Sequence, residues 1–197
     1  IIVSMVDAAV SNAEKLAKMA VEETGFGKVE DKILKNLAAS RDLYEFIKDM
    51  NTIGVIRNDT VNKVIEIAEP MGVVVGIIPS TNPTSTAIFK SIVSIKSRNG
   101  IVISPHPSAI NCTNEAVRLM AEAAVRAGAP EGIIGCLTNT TLEATNELMR
   151  SSDTSIILAT GGPGLVKAAY SAGKPALGVG PGNVPVYIER SADIKKA

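Results

Sequence analysis

The sequence predicts an α/β fold, a doubly wound parallel sheet that is preceded by N-terminal helices and a small β arm. From Pro70 onward, short apolar segments alternate with segments of helical periodicity, which is the order of repeated βα units with right-handed crossovers. Residues 73–78 form a continuous apolar run, typical of a strand buried on both faces. Apolar residues make up 46% of the chain and aromatic residues only 3%, so small and β-branched side chains must fill the core.

The first part of the chain predicts helices followed by an arm. A helix is expected over 4–24, with Thr24-Gly25 as its stop, and a second over 29–50. Short strands are expected at 53–56 and 64–68, outside the main sheet. The side chains expected to be buried are Val6, Ala9, Val10, Ala13, Leu16, Ala17, Ala20 and Val21 in the first helix, and Ile33, Leu34, Leu37, Leu43 and Ile47 in the second.

The rest of the chain predicts alternating strands and helices. The strands are expected at 73–78, 101–103, 133–134, 155–159, 176–179 and 184–188, and the helices at 85–96, 113–127, 141–149 and from the glycine-rich turn to Ser171. Gly128 follows the second of these helices, where a residue that can adopt positive φ is useful. Ligands of such sheets bind beyond the carboxyl ends of the strands, so the loops after the strands are the candidate sites.

Composition excludes several classes of partner. The 197-residue chain can bury a substantial core, and its 20 basic and 20 acidic residues cancel, so neither nucleic acid nor membrane is an expected partner. No signal peptide or membrane-spanning run is present, and Cys112 and Cys136 are far apart without a metal-ligand pattern. We expect a reducing, cytoplasmic location and no metal. The first residue is Ile1, and 193–197 is typical of the start of a helix, so we expect an excerpt of a longer polypeptide.

The loop at 79–86 carries several hydroxyl side chains and an amide, on a backbone that two prolines stiffen. The Asn82 amide can donate an N–H to an oxyanion, as in the stabilisation of a tetrahedral intermediate. The alternative is that Thr84 or Ser85 caps the next helix and the remainder is turn chemistry. Both interpretations stay open at this point.

Two further loops follow strands. Residues 104–107 hold His106, the only histidine, which is either a general base or a contact residue that lines a nucleotide pocket. Residues 159–164 are glycine-rich at a strand-to-helix junction, where backbone N–H groups can approach a phosphate, although a tight turn without a ligand is the alternative. Residues 178–183 add another close-approach segment. Together the loops favour a nucleotide site more than any one of them does.

Residues 69–84, EPMGVVVGIIPSTNPT, resemble the first cofactor-domain signature of the aldehyde dehydrogenase superfamily. The resemblance is to the CoA-acylating branch, which comprises acetaldehyde dehydrogenases and the aldehyde half of bifunctional aldehyde–alcohol dehydrogenases. Segments 104–107, 158–164 and 178–183 are similar to that branch in the same order. The resemblance covers essentially the whole chain, and its collinearity makes it more specific than any single motif.

The resemblance implies a Rossmann-like cofactor domain spanning 1–197, with N-terminal helices at 1–50 and an arm at 53–68 that mediates homo-oligomerisation. The implied activity converts a short aldehyde, NAD and CoA to acyl-CoA, or the reverse, through a thioester on a cysteine beyond residue 197. In the same family, packaging in a bacterial microcompartment is an alternative location. The chain itself, without a catalytic domain, is expected to be inactive.

The resemblance also implies roles for individual residues. Asn82 maps to the oxyanion-hole amide, although hydrolytic relatives place that Asn one residue earlier relative to the following proline. Ser104, His106 and Pro107 fall where hydrolytic relatives use Lys and Glu to hold the adenosine ribose, so NADP remains an alternative to NAD. The residues expected at the cofactor are Pro79, Ser80, Thr81, Ser104, His106, Pro107 and Thr160, with Gly161, Gly162 and Leu165 along the pyrophosphate and Val179 and Gly180 near the nicotinamide.

One difference from the hydrolytic relatives favours acyl transfer over hydrolysis on chemical grounds. Gly178 stands where hydrolytic relatives carry the carboxylate that activates water, and no Asp or Glu occurs between Thr154 and Ile188. A CoA thiol needs far less activation than water does. Neither Cys112 nor Cys136 has basic neighbours in the sequence that would activate it as the nucleophile.

Two other functions remain as alternatives. One is a non-catalytic nucleotide-binding or assembly module of the same fold. The other is a semialdehyde or acyl-phosphate reductase, against which the loops at 79–86 and 104–107 argue.

Overall fold

A parallel sheet of five strands forms the centre of the molecule, and a separate two-stranded sheet forms an arm. The computed structural model describes residues 1–183 and 185–196. Its strands are β1 (Gly54–Asp59), β2 (Val64–Ala68), β3 (Val73–Ile77), β4 (Gly100–Ser104), β5 (Ile134–Cys136), β6 (Thr154–Thr160) and β7 (Ala176–Val179). The main sheet has the order β5-β4-β3-β6-β7, and all its pairs are parallel. The direction of winding reverses between β3 and β6, which confirms the predicted doubly wound sheet.

Helices lie on both faces of this sheet. They are α1 (Ile2–Ser11), α2 (Ala13–Thr24), α3 (Val29–Leu37), α4 (Leu43–Ile47), α5 (Pro83–Lys96), α6 (Ile110–Arg126), α7 (Leu142–Arg150) and α8 (Pro163–Tyr170). A π-helical segment, Ala38–Asp42, joins α3 to α4, and a short 3-10 turn, Pro107–Ala109, precedes α6. Within the described ranges, none of the helices has the length and apolarity to cross a lipid bilayer.

The core consists of two apolar layers, one on each face of the sheet. On one face, Ile101 and Ile103 of β4 are buried together with Ile92 of α5 and Met120 of α6. On the other face, Val75 and Ile157 are buried with Met149 of α7 and Ala169 of α8. Side chains of β3 therefore contribute to both layers, which explains why its sequence is apolar without alternation.

The first predicted helix, 4–24, is two helices that meet at Asn12. The Asn12 side chain donates to the Ala8 carbonyl at 2.8 Å, and its backbone leaves the helical region with φ −110° and ψ 10°. A side chain that bonds to its own backbone competes with helix continuation, so the chain turns here. Gly25 adopts φ +69° and ends α2, as predicted. Of the predicted buried face, Val10 is exposed and Val21 half-buried, while the remaining positions are buried.

The prediction for the second helical segment is wrong at Leu34, which is 65% exposed. The inward face of α3 and of the π-helical segment after it is polar instead, with Lys32, Asn36 and Ser40 buried. Their polar atoms have partners: the Ser40 hydroxyl donates to the Asn36 carbonyl at 2.7 Å, Lys32 bonds to Thr81 in the loop that follows β3, and Asn36 bonds to Thr84 in the first turn of α5. Buried polar groups are tolerated when they are paired, and an apolar periodicity cannot reveal them. Ile47 is buried, while Ile33, Leu37 and Leu43 are half-buried.

The predicted arm is present as an antiparallel hairpin of β1 and β2 outside the main sheet. Its apolar side chains Val55, Val64, Ile65 and Ile67 are about half exposed.

The chain after β7 departs from its prediction. Residues 185–188 of the predicted strand 184–188 have no regular secondary structure, and Val184 lies outside the described residues. At 193–196 the described residues form a turn, in which the Lys196 N–H donates to the Asp193 carbonyl at 2.9 Å. Isolated apolar segments need a neighbouring strand to become strands, and β7 is the edge of the sheet in the described part of the chain.

The contrast between Leu16 and Leu34 gives a matched test of this packing. We expect Leu16→Ala to lower the free energy of unfolding by about 2–5 kcal/mol, because Leu16 is 0% exposed and its truncation leaves a cavity. Leu34→Ala should cost less than about 1 kcal/mol, because that side chain is in solvent. Urea unfolding followed by circular dichroism measures both. Equal losses would contradict the orientation of α3.

Candidate functional site

A cleft of about 670 Å³ opens at the carboxyl edge of the main sheet, at the point where the strand order reverses. Loops that follow all five strands line it. The predicted residues Pro79, Ser80, Thr81, Asn82, Ser104, His106, Pro107, Thr160, Gly161, Gly162, Leu165, Val179 and Gly180 all lie on its wall. The volume is in the range of small-molecule and cofactor sites. The sequence-predicted residues are therefore brought together in one place, while their individual roles remain predictions.

The loop after β3 runs from Ile78 to Asn82, between the end of the strand and the start of α5. Helix α5 begins at Pro83 with Asn82 as its N-cap residue, but no side chain accepts a capping hydrogen bond there. Thr84 instead donates its hydroxyl to Oδ1 of Asn36 at 2.9 Å. The interpretation in which Thr84 or Ser85 caps the helix is therefore wrong. The Asn82 carbonyl accepts from the Thr86 hydroxyl at 2.6 Å and from the Thr86 N–H at 3.2 Å, and these two bonds close the first turn.

Helix α3 holds this loop from behind. Buried Lys32 donates to the Thr81 carbonyl at 2.8 Å, and Lys35 donates to Oδ1 of Asn82 at 3.0 Å. Burial lowers the pKa of Lys32, and the neighbouring charge of Lys35 lowers it further. The contacts join residues 47 to 49 positions apart. Sequence reasoning did not identify them, since no local pattern links the two segments.

The loop after β4 contributes a fixed hydroxyl and an imidazole. Buried Ser104 shares a hydrogen bond with the Thr145 hydroxyl at 2.9 Å, which ties β4 to α7. The Nδ1 atom of His106 accepts from the Ser108 N–H at 3.1 Å and lies 2.8 Å from the Ser108 hydroxyl. An Nδ1 that accepts from a backbone N–H leaves Nε2 as the protonated nitrogen. His106 is exposed on the rim, and this geometry favours the contact role over that of a general base.

The turn after β6 brings backbone close to the cleft. Gly162 is the N-cap residue of α8, and a Cβ atom added to it would meet no atom within 4 Å. A Cβ on Gly161 would come within 2.5 Å of Cδ2 of Leu165. The cleft is thus open in front of the N-terminus of α8, where unpaired N–H groups and the helix dipole favour an anion.

Gly178 allows β7 to approach α8 closely. A Cβ atom there would lie 2.6 Å from Cγ1 of Val166 and 2.9 Å from Cε2 of Tyr170, and the Gly178 N–H donates to the Tyr170 hydroxyl at 3.0 Å. Any side chain at this position would therefore require Val166 and Tyr170 to shift. Among the described residues that line the cleft, none is Asp, Glu, Lys or Arg.

The loop after β5 is a part of the site that sequence reasoning missed. Thr140, Thr141, Leu142 and Thr145 line the cleft next to Ser104. The sequence does contain a signal for this loop, because residues 137–141 follow a strand of the same parallel sheet and include a cluster of threonines.

Lys90 is a second missed residue, which lies beneath the cleft. Its ammonium nitrogen is 2.7 Å from the Ile77 carbonyl and 2.6 Å from the Leu158 carbonyl, so it bridges the ends of β3 and β6. The side chain is 4% exposed, and burial lowers its pKa to about 7. A neutral amine retains two N–H donors, enough for both carbonyls.

Neither cysteine is suited to nucleophilic chemistry. Cys112 lies in the first turn of α6 and is fully buried, and its pKa is raised to about 12, chiefly by burial and then by its hydrogen bond with Glu23. Burial raises the pKa of Cys136, at the end of β5, to about 12. Thiols with such values carry almost no thiolate at neutral pH.

Within the described ranges, no group of three or more His, Cys, Asp or Glu residues could hold a metal ion.

A crevice at a topological switch point, with a glycine turn and a helix N-terminus on its wall, is typical of nucleotide-binding α/β domains. The chain belongs to the aldehyde dehydrogenase family, which it matches over residues 1–197. It is 56% identical over 182 residues to the bifunctional aldehyde-alcohol dehydrogenase AdhE of Escherichia coli strain K12. That alignment covers 92% of this chain and 20% of the relative.

Solved structures agree with this assignment. An acetylating aldehyde dehydrogenase from Geobacillus thermoglucosidasius is 66% identical, with a TM-score of 0.91 over 99% of this chain and 43% of that one. A propionaldehyde dehydrogenase from Rhodopseudomonas palustris, with bound CoA and an acylated cysteine, is 33% identical, with a TM-score of 0.79 over 100% and 46% of the two chains. An engineered glycolyl-CoA reductase with bound NADP+ is 32% identical, with a TM-score of 0.79 over the same shares. The chain thus spans about a fifth of the curated relative and less than half of each structure.

The buried Lys90 predicts a pH-dependent contribution to stability. Above about pH 7 the folded state releases a proton that the unfolded state keeps up to the ordinary pKa of 10.5. The free energy of unfolding should therefore rise with pH across this window, by up to about 1.4 kcal/mol per pH unit, relative to Lys90→Met. Urea unfolding of the unaltered chain and of Lys90→Met measures the difference in their free energies of unfolding. The range from about pH 7 to about 8.5 stays below the ordinary thiol pKa of 9.0. Lys167→Met, at an exposed position, controls for the loss of one positive charge. A difference that does not change with pH would contradict the burial of an ionisable amine.

Proposed function

We propose that this chain forms the cofactor-binding half of a CoA-acylating aldehyde dehydrogenase. The enzyme would oxidise a short aldehyde, acetaldehyde among the candidates, with NAD or NADP and CoA to give acyl-CoA, or run in reverse. The thioester-forming cysteine would be supplied by a residue outside these 197. The observation that carries the proposal is the position of Asn82, whose amide lies on the same cleft wall as the glycine turn of α8.

The chain's own residues fit a dinucleotide. The open space in front of Gly162 and the N-terminus of α8 suit a pyrophosphate, with Gly161 and Leu165 alongside. Ser104, His106 and Pro107 would contact the adenosine, and Val179 and Gly180 would lie near the nicotinamide, with Pro79, Ser80, Thr81 and Thr160 between them. The bound nicotinamide supplies hydride acceptance, and the protein supplies the cleft and the orientation.

The cleft favours acyl transfer over hydrolysis. Among its described lining residues there is no carboxylate to activate water, and Gly178 has no room for one without a shift of Val166 and Tyr170. A thioester intermediate would thus persist until a thiol arrives, and a CoA thiol is a competent nucleophile without a strong base. The Asn82 amide would donate to the oxyanion formed in each acyl-transfer step.

Location and assembly are part of the same proposal. Two free thiols, of which Cys112 is buried and Cys136 half-buried, suit a reducing compartment such as the cytoplasm. The half-exposed apolar side chains of the β1–β2 arm, residues 53–68, suit a homo-oligomer contact.

Nucleotide binding by the 197-residue chain tests the cofactor part. Gly162→Val should weaken NADH binding at least about 10-fold, because a Cβ atom at this cleft-lining position meets no protein atom within 4 Å and the larger side chain would compete with the ligand for the open space. Gly135→Val is the matched control: that glycine has equal free space, lies on strand β5 and does not line the cleft. Calorimetric titration measures all three proteins. Equal affinities for NADH would contradict the site.

Turnover tests the chemical part. In the intact polypeptide that carries these residues, Asn82→Ala should lower kcat for acyl-CoA formation about 10²–10³-fold, the usual cost of removing an oxyanion donor. The 197-residue chain alone should produce no acyl-CoA, because both of its thiols have raised pKa values. Release of CoA thioester is followed by absorbance and mass spectrometry. Acyl-CoA formation by the isolated chain, or an intact polypeptide without a reactive cysteine, would refute the proposal, and the latter would favour a non-catalytic nucleotide-binding module.

A further inference from the structure

The polar face of α3, defined by Lys32, Lys35 and Asn36, is in direct contact with the loop that carries Asn82. The three side chains bond to three different residues of the segment 81–84. Lys32 and Asn36 are 4% and 0% exposed, so their polar groups were removed from water in order to make these contacts. Burial of these two residues costs desolvation that a purely apolar helix face would not, which points to a role beyond packing, while Lys35 itself is exposed.

The contact at Asn82 has a defined chemical direction. A lysine ammonium has three donors and no acceptor, so it can bond only to the oxygen of an amide. With Oδ1 of Asn82 held at 3.0 Å by Lys35, the amide cannot exchange its oxygen and nitrogen ends without losing a charge-assisted hydrogen bond. Among the described residues, no acceptor takes a hydrogen bond from Nδ2 of Asn82. Its N–H groups thus remain available on the side opposite to Lys35.

The other two residues hold the chain on either side of Asn82. Lys32 holds the Thr81 carbonyl, one residue before Asn82, while Asn36 accepts from Thr84, two residues after it. Asn36 is itself oriented, because its Nδ2 donates to the Ala13 carbonyl at 3.0 Å. The residues on both sides of Asn82 are therefore anchored, and Asn82 itself is held at its side-chain oxygen.

We infer that Lys35 is a positioning residue that orients the Asn82 amide so that its N–H groups face the reacting oxygen, with Lys32 fixing the Thr81 carbonyl and Asn36 the Thr84 hydroxyl. The inference rests on the proposed role of Asn82 in acyl transfer. It extends the proposed site to a residue of helix α3. Lys35 would act by orienting Asn82 and would not contact the nucleotide or CoA.

A double-mutant cycle in the intact polypeptide tests this action. Lys35→Met keeps the length of the side chain and removes the donor, and it should lower kcat about 10-fold, with KM for aldehyde, CoA and nucleotide unchanged within about 2-fold. Lys35→Arg retains a donor and should recover part of that loss. In the Asn82→Ala background, Lys35→Met should cause no further decrease. Lys28→Met is the control, because the Lys28 side chain makes no hydrogen bond or ion pair with the described residues.

Three results would overturn the inference: an unchanged kcat in Lys35→Met, an equal loss in the Asn82→Ala background, or a rise in KM for CoA or nucleotide that accounts for the whole effect. The last two would mean that Lys35 acts independently of Asn82. Failure of the proposed function is distinguishable, because Asn82→Ala itself would then retain full kcat.

If the proposed function fails, the contact between Lys35 and Asn82 can still be tested without turnover. The measurement is the side-chain amide resonances of Asn82, observed by nitrogen-15 NMR in the 197-residue chain. They should shift in Lys35→Met and stay unchanged in Lys28→Met. Resonances that are insensitive to Lys35 would refute the positioning role.

Discussion

The parallel pairing of β3 with β4 on one side and β6 on the other is the constraint on which the rest of the structure depends. Because the strands run in the same direction, all their carboxyl ends meet at one edge, and because the winding reverses between β3 and β6, the loops diverge there and leave a crevice. Lys90 bridges the carbonyls of Ile77 and Leu158 beneath that crevice. The position of the cleft follows from topology, and its chemistry follows from the loops.

Charge is distributed unevenly around this cleft. Its described lining residues are uncharged, yet three lysines, Lys32, Lys35 and Lys90, lie just behind the wall and donate to carbonyl and amide oxygens. Each of these amines thereby holds backbone or a side chain in place. A ligand in the cleft would meet backbone N–H groups, hydroxyls and one amide, which are donors that can bind phosphate without a fixed ion pair. The lysines support the geometry of those donors.

The sheet and the cleft wall could be predicted from the sequence because both depend on local features. Apolar runs mark the strands, and the loops after them reach the cleft whatever their exact conformation. Features that depend on distant partners could not be predicted. Apolar periodicity predicts Leu34 in the core, because the hydrogen bonds of Lys32 and Asn36 to Thr81 and Thr84, some 48 residues away, have no apolar signature. The break at Asn12 depends on one side-chain bond, and a strand was assigned to 184–188 from an apolar run that has no described neighbour.

The central claim is that a nicotinamide dinucleotide occupies the crevice with its pyrophosphate at the N-terminus of α8. A crystal structure of the chain grown with NAD+ tests it most directly. The account predicts the pyrophosphate next to Gly161 and Gly162, the adenosine against the loop 104–107, and the nicotinamide directed toward Asn82 and Val179. A dinucleotide bound in the opposite direction, bound elsewhere, or absent from the cleft at saturating concentration would contradict it.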